Sequence, residues 1–275
     1  MVRNEHFRFG SLGFIYIMTP RQRQLVDFVR KNGDVSVADL AKHLRVTTQT
    51  IRRDLRALEG AERVARYHGG VGLPSTVENI DYEQRQVMNV EAKRLIARGV
   101  AQHVEPGRSL ILNIGTTTEE VARALARHRG IRVVTNNLNV AAILAGNEQA
   151  EVLIAGGLVR SRDRGVVGEA TIDFMRQFKV DVAVIGVSSI EPDGTLLDYD
   201  YREVKVAQAI MEQAREVWLA ADHSKFTRRA LVRLGHLSDV DRFFTDLPVP
   251  PAVQKVLETA RVPVWVASPG GPAPG

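Results

Sequence analysis

Apolar residues recur along this chain at two different periods, and the change of period divides it. In the N-terminal part the spacing is helical. Leu25, Phe28 and Val29 share one helix face, as do Val37, Leu40, Ala41 and Leu44, and then Ile51, Leu55 and Leu58. Thr19-Pro20 opens the first helix, proline being suited to a first turn, and Gly33-Asp34 ends it after about Lys31. Ser36 reads as the N-cap of the second helix, with Asp39 where a capping box places its acid. Arg45-Val46 makes a tight turn, and Thr47 caps a third helix over 48–58. Residues 64–73 read as a hairpin, turned by Gly69, Gly70 and Gly72. Three helices and a small hairpin predict a winged helix-turn-helix.

From residue 82 the pattern lengthens. Val87, Val90, Leu95, Ile96 and Val100 predict one amphipathic helix over 82–103, which can link domains or pair subunits. Beyond it, short apolar runs alternate with helical segments. Strands are expected at 109–113, 132–135, 151–155, 180–187, 217–221, 242–245 and 262–266, and helices at 119–127, 139–146, 172–178, 202–215 and 251–259. That alternation predicts an α/β, doubly wound, mostly parallel sheet. Pro74-Ser75 is the expected domain boundary. The expected organisation is a disordered extension at 1–17, the winged helix-turn-helix module at 18–74, a linker helix with a second domain at 75–267, and a disordered tail at 268–275. Residues 1–17, with mixed aromatics and little periodicity, read as an upstream extension or a misplaced start; the short apolar run near Leu12 lacks the cleavage site of a signal peptide.

Charge sharpens the division. The net +5 is unevenly spread: 18–75 holds 11 Lys+Arg against 6 Asp+Glu, whereas the residues from 76 onward hold 24 against 25. The basic excess sits where polyanion binding would use it, and the larger domain is close to neutral. No cysteine is present, which excludes disulfides and thiolate metal sites and suits a cytoplasmic setting. The seven histidines form no ligand-spaced pair, so no metal is expected.

The third helix carries the sharpest chemistry. Helical geometry gathers Ile51, Leu55 and Leu58 into one narrow stripe and sends Gln49, Arg53 and Arg56 to the opposite side, with Arg52 flanking them. The outward face therefore holds forked cations and an amide, groups that suit guanine, phosphate and adenine. A solvated charged face is the alternative. The preceding helix, the tight turn and the trailing Arg63, Arg66, Tyr67, His68 and Gly69-Gly70 favour DNA. Residues 50–55 (TIRRDL) and 66–70 (RYHGG) resemble the recognition helix and wing of the DeoR family of bacterial repressors. The candidate DNA contacts are Thr48, Gln49, Thr50, Arg52, Arg53, Arg56, Arg66 and His68. One such helix reads a short half-site, so a homodimer or homotetramer on double-stranded operator DNA is expected.

In open α/β sheets ligands sit at the carboxyl ends of strands. Those ends here are Asn113 and Gly115 with Thr116, Thr117 and Thr118; Asn136 and Asn137; Gly156 and Gly157; Gly186; and Asp222 with Lys225. Glycine, hydroxyls and a free helix start suit a phosphate, although an ordinary threonine cap is the alternative for 116–118. Lys225 is a candidate phosphate partner, with Asp222 orienting it or accepting from ligand hydroxyls. Glu203 and Lys205 either enter the same cleft or form an exposed ion pair. A small phosphorylated ligand is expected.

These strand ends resemble the DeoR-family sensor domain, a fold similar to ribose-5-phosphate isomerase. The segments that carry the likeness are 135–141 (TNNLNVA), 155–163 (AGGLVRSRD), 166–173 (VVGEATID), 222–226 (DHSKF), 230–235, Val240-Asp241 and Pro250-Pro251. The resemblance implies a non-enzymatic repressor of glycerol metabolism, without cofactor, released from DNA by glycerol 3-phosphate. Another sugar phosphate as effector, or an isomerase-like enzyme using Asp222 or Glu203 as base, are the alternatives. Two positions depart from the family pattern. Asn113 stands where many members carry Asp, which removes a negative charge beside the expected phosphate, and Ala65 stands where a larger apolar residue packs the wing.

Overall fold

The computed structural model describes residues 18–32, 35–61, 63–67, 70–72 and 82–267. The expectations for 1–17, 268–275, Gly33-Asp34, His68, Gly69 and Pro74-Ser75 lie outside them. The chain forms two compact units, with the main change-over between Leu73 and Pro74.

In the first unit, α1 (Pro20–Asn32) opens with a reciprocal cap. The Thr19 amide donates to Gln22 Oε1 at 2.9 Å, and the Gln22 amide to Thr19 Oγ1 at 3.2 Å. A short strand, β1 (Val35–Ser36), leads into α2 (Val37–His43), where Ser36 Oγ accepts from the Asp39 amide. Thr47 caps α3 (Thr48–Gly60) in the same way through the Thr50 amide. The hairpin is β2 (Ala65–Tyr67) with β3 (Gly70–Gly72). β3 also pairs with β1, a third strand whose two residues are too few to show a period in the sequence. Leu25, Leu40, Ile51, Leu55 and Leu58 are fully buried in one core, each contributing about 1.5–3 kcal/mol relative to exposure.

The second unit begins with a correction. The expected single helix over 82–103 is two, α4 (Tyr82–Val87) and α5 (Val90–His103). Asn89 between them adopts φ +52, a left-handed conformation that asparagine tolerates and that stops a helix. The helical register of the apolar residues runs through this corner, so the sequence pattern does not reveal it. Lys93 holds the corner by donating to the carbonyl oxygens of Arg85 and Met88.

The sheet that follows has seven strands: β4 (Ser109–Leu112), β5 (Arg132–Thr135), β6 (Glu151–Ile154), β9 (Val180–Ile185), β12 (Ala214–Ala220), β14 (Arg242–Thr245) and β15 (Val264–Val266). All pairs are parallel, in the order β15-β14-β12-β9-β4-β5-β6. The remaining strands are β7 (Leu158–Val159) with β8 (Val166–Val167), and β10 (Ser189–Ile190), β11 (Thr195–Asp198) and β13 (Val232–His236) in a small antiparallel sheet. Strands this short leave little periodicity, and neither group is marked in the sequence.

Alternation along the strands builds the two cores. Leu110, Leu112, Val133, Val182, Val184, Trp218 and Phe244 pack on one face with α5, α6 (Thr116–Leu125) and α7 (Leu138–Leu144). Ile111, Val134, Ala183, Ile185, Leu219 and Phe243 pack on the other with α8 (Glu169–Met175), α9 (Tyr201–Glu212) and α10 (Pro251–Ala260). Gly99 is needed on α5 because a Cβ there would lie 2.3 Å from the Trp265 ring. Among the described residues no helix is long and apolar enough to cross a membrane.

Candidate functional site

α3 buries Ile51, Leu55 and Leu58 and turns Thr48, Gln49, Arg52, Arg53 and Arg56 to solvent. Asp54, near the apolar stripe, is buried and held by Arg21 at 2.6 and 3.1 Å, which fixes α1 against α3 and keeps the acid off the exposed face. Thr47, Gln49, Thr50, Arg52, Arg53 and Arg56 line one concavity. No acid pairs with Arg52, Arg53 or Arg56 among the described residues, so their guanidinium groups remain open to an external anion. Thr50 is half-buried and its hydroxyl lies 2.9 Å from that of Thr47, at the start of the helix. Arg66 lies in β2, but its side chain, like all of His68, is outside the described residues.

In the second unit, the strand order reverses between β4 and β9, the switch point where such sheets open a crevice. Asn113 leaves β4 there, and Gly115 precedes α6 with φ +152 and no side-chain cap. The first N–H groups of α6 are therefore free for an anion, beside the buried hydroxyls of Thr116 and Thr117. Thr118 is different: its hydroxyl lies 2.7 Å from the carbonyl oxygens of Asn113 and Gly115 and braces the loop. Asn136, fully buried, follows β5. Its neighbour Asn137 caps α7 through Oδ1 and donates to Glu119 at 3.3 Å, so both its polar atoms are committed to the fold.

Lys225 lies beyond β12 in a short 3-10 turn (His223–Phe226) capped by Asp222. Asp222 Oδ1 accepts from Asn89 Nδ2 and from the amide and hydroxyl of Ser224. Burial opposes its charge, but Lys225, Lys93 and Arg228 hold it well below the usual carboxylate range. Lys225 itself is pushed down to about 7, first by burial, then by Arg228, with Lys93 and Arg85 adding and Asp222 opposing. Arg228, Lys93 and Arg85 thus act on Lys225 together with Asp222, and Arg85 also has Asp163 at 3.9 Å. Arg228 is met by Met88 Sδ at 2.9 Å, and among the described residues no carboxylate pairs with Arg228 or Lys225. Like charges gathered in this way are relieved by a bound anion.

α4 carries this chemistry across the strand ends. Tyr82 Oη donates to Glu119 of α6 at 2.8 Å, Arg85 Nη2 lies 3.9 Å from Asp163, and Asn89 reaches Asp222. Burial, then the bond to Glu119, pushes the Tyr82 phenol above its ordinary range. Nothing in the sequence spacing points to Arg85, Lys93 or Arg228, since they lie away from every strand end in the chain.

The expectation that Glu203 and Lys205 share a cleft is corrected. Two residues apart on α9, they point to opposite sides. Glu203 is inward, bonded to Arg160 at 2.8 Å, and burial with Asp198 raises its pKa while Arg160 opposes. Arg160 also holds Asp163 and Asp200. Lys205 is exposed, over the Tyr201 ring and 3.4 Å from Gln208 Oε1. Gly156 and Gly157 lie beyond the edge strand β6. There Gly157, at φ +145, turns the chain where a Cβ would lie 2.4 Å from Thr171 Oγ1. Gly186, at the end of β9, faces the switch point from the other side.

Comparison with known proteins bears on both units. The DeoR-like helix-turn-helix domain matches residues 21–77, and the DeoR C terminal sensor domain matches 88–247. The chain belongs to the DeoR family. The glycerol-3-phosphate regulon repressor of Escherichia coli (strain K12) is 46% identical over 239 residues, spanning 87% of this chain and 95% of that protein. The repressor of the same name from Haemophilus influenzae is 48% identical over 229 residues, spanning 83% and 89%. Among solved structures, ribose 5-phosphate isomerase A from Methanocaldococcus jannaschii shares 15% identity at a TM-score of 0.38, over 51% of this chain and 56% of that one. That likeness transfers neither chemistry nor ligand. This DeoR-family chain is a DNA-binding repressor and not an enzyme.

Proposed function

We propose that this DeoR-family repressor holds operator DNA through the exposed face of α3 and is released when glycerol 3-phosphate binds at the strand ends of the second unit. The observations that carry the effector reading are the gathering of Arg85, Lys93, Lys225 and Arg228 near Asp222 and the uncapped start of α6, both at the carboxyl side of the sheet. A phosphate satisfies both. The free N–H groups donate to its oxygens and the cations balance its charge. The choice of glycerol 3-phosphate leans on the names of the relatives. The DNA reading leans on three unpaired arginines and a net +5 in 18–75. The acting species is a symmetric homo-oligomer, dimer or tetramer, because α3 reaches only a few base pairs.

Titration calorimetry of the full-length protein with glycerol 3-phosphate, ribose 5-phosphate, fructose 6-phosphate and inorganic phosphate tests the effector. Tightest binding by glycerol 3-phosphate is expected, together with release of bound DNA in a mobility shift at fixed salt. Binding and release by a sugar phosphate alone would reassign the effector, and no binding by any of them would remove the site.

A further inference from the structure

The rim holds, among the described residues, two buried side-chain amide oxygens with nothing to accept. Among the described residues, five buried side-chain polar atoms lack a partner: Arg85 Nε, Asn113 Oδ1, Asn136 Oδ1, Arg242 Nε and Thr245 Oγ1. Four of the five lie at or over the carboxyl ends of the strands: Thr245 closes β14, Asn113 and Asn136 follow β4 and β5, and Arg85 is on α4. Folded proteins leave few buried polar atoms unpaired, so the clustering needs a cause. For Asn136 the orientation of the amide is fixed. Its Nδ2 donates to the Val166 carbonyl at 3.1 Å, which leaves Oδ1 as the spare end of a fully buried side chain. Asn113 is 3% exposed, with Oδ1 likewise unpaired. Leu112 pairs with Thr135 in the β4–β5 ladder, so Asn113 and Asn136 leave adjacent strands at adjacent positions. Their neighbours Asn137 and Thr118 are fully committed within the protein, which sets these two oxygens apart.

We propose that Asn136 Oδ1 and Asn113 Oδ1 accept hydrogen bonds from hydroxyl groups of the effector, so that the site selects a polyol phosphate over its carbonyl counterpart. An acceptor needs a donor, and neither a phosphate oxygen nor a ketone supplies one. The division of the ligand follows: its phosphate lies against the α6 N–H groups and the cations, and its hydroxyls lie against the two amides. Glycerol 3-phosphate presents two neighbouring hydroxyls. Dihydroxyacetone phosphate replaces one by a carbonyl oxygen, which would face an acceptor and leave it unpaired in a buried site. Asn113 fits this role better than Asp would, since it accepts without placing a negative charge near the phosphate.

The inference rests on the effector reading above, and one experiment separates the two. Full-length protein is titrated calorimetrically with glycerol 3-phosphate, dihydroxyacetone phosphate and propane-1,3-diol monophosphate, which lacks the central hydroxyl. Glycerol 3-phosphate is expected to bind about 10- to 100-fold more tightly than either analogue. Asn136→Leu, similar in volume but without an acceptor, is expected to bring the three ligands within about threefold of each other. Equal binding of the three by the unsubstituted protein overturns the proposal, as does a ratio unchanged in Asn136→Leu, and both leave the effector standing. No binding of glycerol 3-phosphate overturns the effector reading itself. Should Asn136→Leu fail to fold, the ligand series on the unsubstituted protein still decides.

Discussion

At the scale of single residues, what matters is whether a charge already has a partner. Asp54 and Arg21 satisfy each other, whereas Arg53 points outward and pairs with no acid among the described residues. Arg53→Ala should therefore weaken specific DNA binding by about 1–3 kcal/mol if the side chain meets a base edge. Competition with random DNA checks this, since equal losses on both would mark a phosphate contact only. Lys225 gives a prediction in pH. Its pKa is about 7 in the fold against 10.5 for an ordinary lysine, so between those values the unfolded chain holds the extra proton. Stability of the unliganded protein should rise with pH across that window, and the gain should be lost as pH falls back to 7. Lys93, at about 8 through burial, adds to the rise between 8 and 10.5. Effector binding has the opposite sign, because a bound anion restores the lysine's charge. Affinity should fall above pH 7 by up to about tenfold per unit, and Lys225→Gln should flatten that fall in calorimetric titrations.

At the scale of elements, α4 joins groups that lie far apart in sequence. Tyr82 fastens it to α6, the Asn89 corner fastens it to the turn after β12, and Arg85 adds charge between them. The α6 start that would face the phosphate and the Glu119 that grips Tyr82 belong to the same helix. Tyr82→Phe removes one donor from buried Glu119 and leaves Asn137 and Asn139 to serve it. A loss of about 1–2 kcal/mol in thermal or denaturant unfolding is expected. An unchanged midpoint would show that the strap is not held by this bond.

At the scale of the whole molecule, charge is segregated. The excess of Lys and Arg in 18–75, against near balance from 76 onward, assigns polyanion binding to one unit. DNA affinity should fall steeply with salt, the slope of log K against log salt growing by about 0.9 for each phosphate neutralised. Effector affinity should respond far less, because the gathered cations of the second unit are largely buried. Parallel salt series of both equilibria check the contrast, and equal slopes would contradict it.

Much of this protein can be read before its structure. Local signals suffice wherever neighbours in sequence are neighbours in space: the Ser36 and Thr47 caps, the buried stripe Ile51–Leu55–Leu58 with arginines opposite, and each strand of the parallel sheet. The positions of Asn113, Asn136, Asp222 and Lys225 at strand ends follow from the same alternation. Only the tertiary fold decided which of the rim residues are spent inside the protein, as Thr118 and Asn137 are, and which keep a free atom, as Asn113 and Asn136 do. It also turned Lys205 away, broke the long helix at Asn89 and brought Arg85, Lys93 and Arg228 to Lys225. Periodicity records which face a residue takes. It carries no information about which distant charge will meet it there, because that is fixed by strand order and by loops that cross from one strand end to another.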